Sequence, residues 1–280
     1  MTKTVLITGC SSGIGRETAA AFLEDEWRVW ATARDEEDVS DLAAEGCATA
    51  ELDVTDPREV EAVVDELLAE EGRLDCLVNN AGYGQFGPVE DVPTGVVHEQ
   101  FDVNVYGPHR LVREVLPHMR DRGEGTIINL SSVTGRLATP GNGVYAGSKF
   151  ALEGMSDALR AEVKSEGVDV VLVEPGPVDT QFEDRAMSTL AEADRSPDYD
   201  WLYDLYDDAE MIGGEAVSIP PRDVALTIRD AAQASNPEPR YPVGQFAKYA
   251  MLARHVPARW RDTALSVARK LSEFRTSRSE

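Results

Sequence analysis

The chain has 280 residues, of which 42% are hydrophobic, 51 are Asp or Glu and 27 are Lys or Arg, so that its formal net charge is -24. The hydrophobic fraction excludes a fully disordered chain, and the acidic balance argues against nucleic-acid binding, which needs a basic surface. A composition this acidic predicts a halophilic organism as the source, because concentrated salt screens the repulsion among surface carboxylates. An acidic but otherwise ordinary protein is the alternative.

Neither a metal site nor a membrane span is predicted. Cys10, Cys47 and Cys76 are odd in number and show no C-x-x-C spacing, which is typical of a reduced compartment. The four histidines form no metal-binding helical pair, and no apolar run approaches the ~18 residues that cross a bilayer. We therefore expect a cytoplasmic protein without a bound metal.

Short apolar runs alternate with helical patterns along most of the chain. Strands are predicted at Val5–Thr8, Arg28–Thr32, Ala48–Leu52, Cys76–Asn79, Thr126–Leu130 and Val168–Val173. Such alternation implies parallel strands joined by right-handed helical crossovers. The predicted fold class is α/β: one Rossmann-like, doubly wound parallel sheet with helices on both faces, in a single domain over residues 1–280.

The clearest helix follows the third strand. Asp56 is predicted to cap it and Pro57 to occupy its first turn, while Glu59 completes a capping box and Gly72 ends the helix. One apolar stripe is predicted to face the core, and it consists of Val60, Val63, Val64, Leu67 and Leu68.

Residues 176–214 interrupt this alternation. Aromatic residues and methionines are interspersed there with acids, at Phe182, Met187, Tyr199, Trp201, Tyr203, Tyr206 and Met211. The segment follows the carboxyl end of a strand, where open α/β sheets bind ligands, so a substrate lid is the favoured interpretation. The alternative is a surface insertion whose aromatics only anchor it to the body.

Basic residues outnumber acidic ones in a C-terminal extension of about residues 240–280. Together with Phe246, Tyr249 and Trp260 they predict basic amphipathic helices. Docking onto the acidic body of the protein or onto a neighbouring subunit is favoured over an anchor at a membrane surface.

A glycine-rich stretch joins the first strand to the first helix, from Thr8 to Gly15. Glycines there allow a tight turn and let the backbone approach a pyrophosphate at the positive end of the helix. A turn of this kind without a ligand is the alternative, but its place in the first strand–helix unit favours nucleotide binding.

Tyr145 and Lys149 are four residues apart on a predicted helix and therefore share one face. An ammonium group close to a phenol favours the phenolate and lowers the phenol pKa from about 10. Such a tyrosine can act as general acid or base on a carbonyl or alcohol oxygen. The alternative is an exposed aromatic–cation pair on a helix.

Taken in order, these motifs resemble the short-chain dehydrogenase/reductase family over most of residues 3–180. The matching positions are Gly9, Gly13 and Gly15 in the loop, Asp53, Asn79–Gly82, Asn104, Ser132, the Tyr145/Lys149 pair, and Pro175–Pro177 with Thr180. The resemblance implies hydride transfer between a nicotinamide and an alcohol or carbonyl substrate.

The resemblance also implies four catalytic residues. Tyr145 exchanges the proton and Ser132 orients the substrate oxygen. Lys149 lowers the pKa of the phenol and binds the nicotinamide ribose, while Asn104 supports a proton relay. Ser131 is a less favoured candidate for the serine, because neighbours on a strand face opposite ways.

Cofactor contacts are implied at Gly9, Ser11, Ser12, Gly13, Ile14, Gly15, Arg34, Asp53, Val54, Asn80, Ala81, Gly82, Tyr145, Lys149, Pro175, Gly176, Val178 and Thr180. By the same resemblance Arg34 takes the place of a residue that binds the 2′-phosphate, so NADP is favoured over NAD. NAD stays possible, because Asp35 lies about 20 residues beyond Gly15, as a ribose-binding acid does, and Ser12 is not basic.

Tyr145–Gly154 and the C-terminal extension are most similar to the hydroxysteroid and retinol dehydrogenase-like branch, which implies a lipophilic alcohol or ketone as substrate. The family's usual subunit contacts, on the helices that hold Asn104 and Tyr145, imply a homodimer or homotetramer. A non-catalytic, dinucleotide-sensing regulator of the same fold is the alternative function. It is disfavoured because such proteins are expected to lack the tyrosine or the lysine.

Overall fold

The structure is a computed structural model, and it describes residues 2–182, 186, 195–207, 218–253, 256–263 and 266–267. Its strands are β1 (Thr4–Thr8), β2 (Arg28–Ala33), β3 (Ala48–Glu51), β4 (Cys76–Asn79), β5 (Gly125–Leu130), β6 (Val168–Pro175) and β7 (Arg240–Val243). They form one parallel sheet in the order β3-β2-β1-β4-β5-β6-β7. The predicted doubly wound parallel sheet is confirmed.

The α-helices are α1 (Gly13–Glu24), α2 (Ser40–Glu45), α3 (Pro57–Glu71), α4 (Thr94–Phe101), α5 (Gly107–Arg122), α6 (Gly143–Val163), α7 (Asp200–Asp207), α8 (Pro221–Gln233) and α9 (Gln245–Ala253). A π-helical turn, Asp102–Tyr106, joins α4 to α5. In the described part of the chain, the helices are too short or too polar to cross a membrane.

The core consists of two layers because alternate side chains of each strand point to opposite faces of the sheet. On β1, Val5 and Ile7 pack on the face that carries α1 and α8, whereas Leu6 packs on the face that carries α3 and α5. Burial of each such side chain contributes about 1.5–3 kcal/mol. Helices on both faces explain why all five residues of β1 are buried.

The start of α3 differs from its prediction in one contact. Asp56 caps the helix by accepting from the Arg58 backbone N–H at 2.8 Å, and Gly72 ends it with a φ of 68°. Glu59, however, accepts from the Asp53 N–H at 2.7 Å rather than from the cap residue. The predicted capping box is therefore wrong. The chain before the helix folds back, so that Glu59 binds the Asp53 N–H and not the N–H of Asp56.

The C-terminal extension also begins differently from its prediction. Arg240–Val243 is the edge strand β7, paired with the end of β6, and the helix α9 follows it. Pro242 makes this run a poor strand by sequence, since proline cannot donate to a ladder, but an edge strand tolerates proline. Residues 254–255, 264–265 and 268–280 lie outside the described part of the extension.

The order of the strands determines where a ligand can bind. Chain order reverses between the neighbouring strands β1 and β4, so the loops that leave their carboxyl ends diverge to opposite faces. The glycine-rich loop follows β1, and Asn80–Gly82 follows β4.

Candidate active site

The glycine-rich loop has the close backbone approach that its sequence predicts. Gly9 has a φ of +73°, in the region that side chains disfavour, and a Cβ atom at Gly15 would lie 2.2 Å from the Gly9 carbonyl oxygen. Ser12 precedes α1 with extended backbone. Unpaired N–H groups at the start of α1 are therefore available to an anion.

Thr8 and Asn80 hold this loop in place. The Thr8 hydroxyl accepts from the N–H groups of Asn80 and Ala81 at 3.1 and 3.0 Å, and the Asn80 amide donates to the Thr8 and Gly9 carbonyls at 2.8 and 2.9 Å. The side-chain donors of Asn80 thus serve the loop itself. The predicted site does not include Thr8, although a hydroxyl group at the end of β1 is a sequence signal for a residue that binds the loop.

One cavity of 1440 Å³ opens above the carboxyl ends of the strands. Of the residues predicted for the site, all except Gly15 and Asn104 line it. Ligand pockets usually measure about 300–1,000 Å³, so this cavity has room for a dinucleotide and a second molecule. Gly15 and Asn104 do not line the cavity, but they contact the loops and helices that form it.

Arg34 favours NADP and Asp35 favours NAD in the sequence analysis, and the structure gives the two side chains different surroundings. The exposed Arg34 lines the cavity. Asp35 caps the 3-10 turn Glu36–Val39, where its carboxylate accepts from the Glu37 N–H at 3.0 Å, and it does not line the cavity.

Asp53 lies in the turn that follows β3 and lines the cavity. One of its carboxylate oxygens accepts both the N–H and the hydroxyl of Thr55, each at 2.8 Å. These bonds therefore hold this short loop, a predicted cofactor contact, in a fixed conformation.

Tyr145 and Lys149 lie one turn apart on α6, and both line the cavity. The Lys149 Nζ lies 5.8 Å from the centre of the Tyr145 ring and donates to the Leu130 carbonyl at 2.7 Å. Burial lowers the pKa of Lys149 to about 8, while the nearby Glu153 carboxylate acts in the opposite direction. Since this pKa lies above neutral pH, the lysine is mostly charged beside the Tyr145 ring.

The two serines after β5 have different surroundings. Ser132 caps the 3-10 turn Val133–Gly135, and its Oγ accepts from the Thr134 N–H at 3.2 Å. The Ser131 hydroxyl is buried, has no hydrogen-bond partner in the described part of the chain, and lies 2.8 Å from where a Cβ atom on Gly135 would be. Ser132 has the more accessible hydroxyl, which favours it as the candidate.

Asn104 lies in the π-helical turn Asp102–Tyr106, which the sequence analysis missed. Its side-chain oxygen accepts from the Tyr83 N–H at 3.1 Å, and its amide donates to the Tyr83 carbonyl at 2.9 Å and to the Ser148 hydroxyl at 3.1 Å. These bonds join α4–α5 to the loop after β4 and to α6. The Asn104 side chain thus serves the scaffold, and its predicted part in a proton relay rests on the resemblance.

Three aromatic rings surround the Tyr145 end of the cavity. Phe182 and Phe86 lie 5.5 and 6.2 Å from Tyr145 between ring centres, and Tyr206 lies 5.8 Å from Phe86. Burial raises the pKa of Tyr206 to about 12, so this phenol stays protonated, and it donates to the Pro140 carbonyl. Phe86 is absent from the predicted site because no sequence pattern marks it.

The predicted lid segment returns to the point where it leaves the body. The Asp179 N–H donates to the Ile219 carbonyl and the Ile219 N–H to the Pro177 carbonyl, each at 3.0 Å. Helix α7 lies between these ends, and the described aromatics of the segment include the cavity-lining Phe182 and Tyr206. Met187 and Met211 of the prediction lie outside the described residues.

Two phenols on this segment bind carboxylates on the body. Tyr203 is buried and donates to Asp91 at 2.6 Å, whereas Tyr199 donates to Glu90 at 2.7 Å in an exposed pair. Burial and the Asp91 charge raise the pKa of Tyr203, so it remains a donor. The segment is thereby fastened beside the aromatic rings around Tyr145.

A glycine loop at the start of a helix, at the point where strand order reverses, defines a dinucleotide-binding α/β protein. A family model described as short chain dehydrogenase matches residues 3–191. The chain therefore belongs to the short-chain dehydrogenase family, as its motifs predict.

Individual proteins show the same relationship. The Escherichia coli K12 protein YbbO, described as an uncharacterized oxidoreductase, is 36% identical over 267 residues, which cover 95% of this chain and 94% of that one. Human retinol dehydrogenase 8 is 37% identical over 249 residues, covering 84% of this chain and 79% of that one.

Solved structures agree with this assignment. A short-chain dehydrogenase from Streptomyces avermitilis matches 99% of this chain and 98% of its own, with a TM-score of 0.80 and 32% identity. The closed form of a serine dehydrogenase complexed with NADP+ matches 86% of this chain and 94% of its own, with a TM-score of 0.75 and 27% identity.

Proposed function

We propose that this protein is an NADP-dependent oxidoreductase that interconverts a lipophilic alcohol and its carbonyl compound, with Tyr145 as general acid and base. The observation that carries the proposal is a single cavity that holds both the glycine loop and the Tyr145/Lys149 pair. Membership of the short-chain dehydrogenase family supports the same reaction class.

The residues of the cavity fit a nicotinamide dinucleotide. A side chain at Gly15 would collide with the Gly9 carbonyl. Glycine at this position keeps the loop close to the start of α1, and the N–H groups there can bind a pyrophosphate. Asp53, Ala81 and Thr180 extend the lining on either side. When bound, the dinucleotide supplies or accepts the hydride.

The chain's own residues supply the proton chemistry. In the reducing direction the Tyr145 hydroxyl donates its proton to the carbonyl oxygen, and in the oxidising direction the phenolate removes the alcohol proton. The positive charge of Lys149 stabilises that phenolate. The Ser132 hydroxyl lies on the same cavity and orients the substrate oxygen.

NADP is preferred because a guanidinium group lines the cavity at the end of β2. Arg34 is exposed there and can form charge-assisted bonds to a 2′-phosphate. Asp35, which would favour NAD, already caps a 3-10 turn. The serine dehydrogenase that matches this fold was solved with NADP+.

A lipophilic substrate is favoured by the ring cluster of Phe86, Phe182 and Tyr206 beside Tyr145. Carboxylates that fasten the lid segment, at Glu90 and Asp91, disfavour anionic substrates. The similarity to retinol dehydrogenase 8 points in the same direction.

The oligomeric state, the cellular compartment and the source organism are proposed from the sequence. We propose a homodimer or homotetramer in the cytoplasm of a halophilic organism, with the C-terminal extension docked on protein rather than on a membrane. Trp260 and Tyr249 on that extension are 73% and 70% exposed in the single chain, so they are available to such a contact.

The test is a screen of NADPH and NADH oxidation against uncharged ketones and aldehydes of increasing size, with small acidic ketones for comparison. We expect turnover with NADPH and large apolar carbonyl compounds. Preference for small acidic ketones would contradict the substrate class, and absence of turnover with every compound while NADPH still binds would favour the sensing regulator.

A further inference from the structure

A buried ionic cluster lies behind Lys149, away from the cavity. It consists of Glu153 on α6, Glu174 on β6, Arg136 after the 3-10 turn Val133–Gly135, and Arg240 on β7. The two glutamates are 4% and 1% exposed. None of the four residues lines the cavity, so any effect of the cluster on the reaction must pass through another residue.

The two arginines form ion pairs with both glutamates, but their hydrogen bonds go to Glu153. Glu153 Oε2 accepts from Arg136 Nη1 at 3.2 Å and from Arg240 Nη2 at 3.0 Å. Glu174 Oε1 is buried and accepts no hydrogen bond in the described part of the chain, although Arg240 Nε lies 3.3 Å away. The hydrogen bonds therefore stabilise a negative charge on Glu153.

Two carboxyl groups in contact in a buried site do not both ionise readily. Burial and the charge of Glu153 raise the pKa of Glu174 well above its usual range. Glu174 therefore takes up a proton more readily than an exposed glutamate does.

Glu153 follows Lys149 by one helical turn, so both side chains lie on the same face of α6. A Cβ atom on Gly135 would lie 3.1 Å from Glu153 Cγ and 3.2 Å from Lys149 Cβ, which shows that both side chains flank one glycine. Lys149 is 5% exposed, and the charge of Glu153 raises its pKa against the effect of burial.

The charged groups around Lys149 come from four elements. Glu153 and the Tyr145 phenol lie on α6 itself, Arg136 follows the 3-10 turn, Glu174 comes from β6 and Arg240 from β7. Asp157, one turn beyond Glu153, is bound by Arg240 at 2.6 Å and by Arg160 at 2.5 Å. Its charge is therefore compensated at a distance from Lys149.

We propose that Glu153 is a positioning residue that keeps Lys149 protonated beside Tyr145 at neutral pH, and that Arg136 and Arg240 hold the Glu153 carboxylate in place for this purpose. The proposal rests on the proposed function only for what the charge on Lys149 does. An opposite charge within about 4–6 Å changes a pKa by about 1–3 units, enough to decide whether a buried lysine is charged.

The test measures the pKa of Lys149 directly. The full-length protein contains five lysines, so lysine labelled with ¹³C gives few NMR signals, and Lys149→Arg identifies the relevant one. We expect Glu153→Gln to lower the pKa of Lys149 by about one unit or more. Glu174→Gln replaces the second buried carboxyl group of the cluster by an amide of the same shape and is expected to lower it by less than ~0.5 unit.

Two further variants control for structural damage. Glu153→Asp retains the charge and is expected to keep the pKa of Lys149 within ~1 unit of the wild-type value, above that of Glu153→Gln. Asp157→Asn removes a carboxylate that Arg240 also binds and is expected to leave that pKa unchanged. An unchanged pKa in folded Glu153→Gln would overturn the proposal. So would a fall of about one unit in Glu174→Gln, which tests it even where Glu153→Gln does not fold.

A kinetic readout separates this proposal from the proposed function. Lysine is charged below its pKa, so activity is expected to fall as pH rises through about 8, and in Glu153→Gln this alkaline loss should begin about one unit lower. Should no substrate be turned over at all, the proposed function fails while the NMR titrations still decide the role of Glu153.

Discussion

The two sides of the cavity are held in different ways. On the glycine-loop side, Thr8 and Asn80 bind backbone groups, and little of the arrangement depends on packing between side chains. On the lid side, aromatic rings and two phenol–carboxylate pairs hold α7 against the body. The first arrangement suits a ligand whose phosphates need fixed N–H donors, and the second allows substrate preference to change by single side-chain substitutions.

The largest effect is expected where the two sides meet. Tyr145→Phe removes only the phenol oxygen and its proton, so turnover is expected to fall about 10²–10⁴-fold. Binding of NADPH, measured by its fluorescence, is expected to change little, because the ring and Lys149 remain. Activity near the wild-type level with a confirmed substrate would refute Tyr145 as the general acid and base.

The next effect belongs to the glycine-loop side alone. Arg34→Ala is expected to weaken NADPH binding by about 1.5–3 kcal/mol, through loss of a charge-assisted contact, and to leave NADH binding nearly unchanged. Isothermal titration with both nucleotides measures the difference. Asp35→Ala is the matched control, since that carboxylate caps a 3-10 turn. Equal losses for both nucleotides in Arg34→Ala would instead favour NAD.

Salt is expected to screen the surface charge on both sides of the cavity. A chain with a net charge of -24 repels itself in dilute buffer, and at molar salt the Debye length falls to about 3 Å. We expect Tm and activity to rise from dilute buffer to molar KCl, by about 2–4 °C for each kcal/mol of repulsion relieved. The same Tm and activity between ~0.1 M and ~2 M salt would contradict the halophilic interpretation.

Sequence alone predicts the glycine-loop side more completely than the lid side. The strands, the loop and the Tyr145/Lys149 pair follow from local signals, namely short apolar runs, glycine spacing and the four-residue period of a helix. The site residues that the family resemblance implies lie at this cavity, with the exceptions of Gly15 and Asn104. They do so because parallel strands bring the ends of β1, β4 and β5 to one edge of the sheet.

The missed features depend on contacts between distant parts of the chain. Phe86 joins the ring cluster through contacts with Tyr145 on α6 and Tyr206 on α7. The sequence predicts Arg240 as part of a basic helix, whereas in the structure its side chain binds Glu153 and Asp157. The π-helical turn at Asn104 likewise has no local signal in a run of ordinary helix residues. Such features are fixed by tertiary structure and not by periodicity.

The smallest predicted effect tests how the lid side is fastened. Tyr203→Phe removes a buried bond to Asp91 and leaves that carboxylate with the Ser196 N–H at 3.1 Å among its described partners. Looser docking of α7 is expected to raise KM for a large substrate several-fold, within the factor of ten that about 1.4 kcal/mol represents. The affinity for NADPH should change less, because the nucleotide is expected on the glycine-loop side of the cavity.

Tyr199→Phe is the matched control, since the same kind of bond, to Glu90, is exposed to water. An exposed pair contributes about 0–1 kcal/mol, so this variant is expected to change KM by less than Tyr203→Phe does. Steady-state kinetics with one large and one small carbonyl substrate give both values. Equal KM values for wild type and both variants would show that the aromatic packing of α7, and not its phenol–carboxylate pairs, holds the lid side in place.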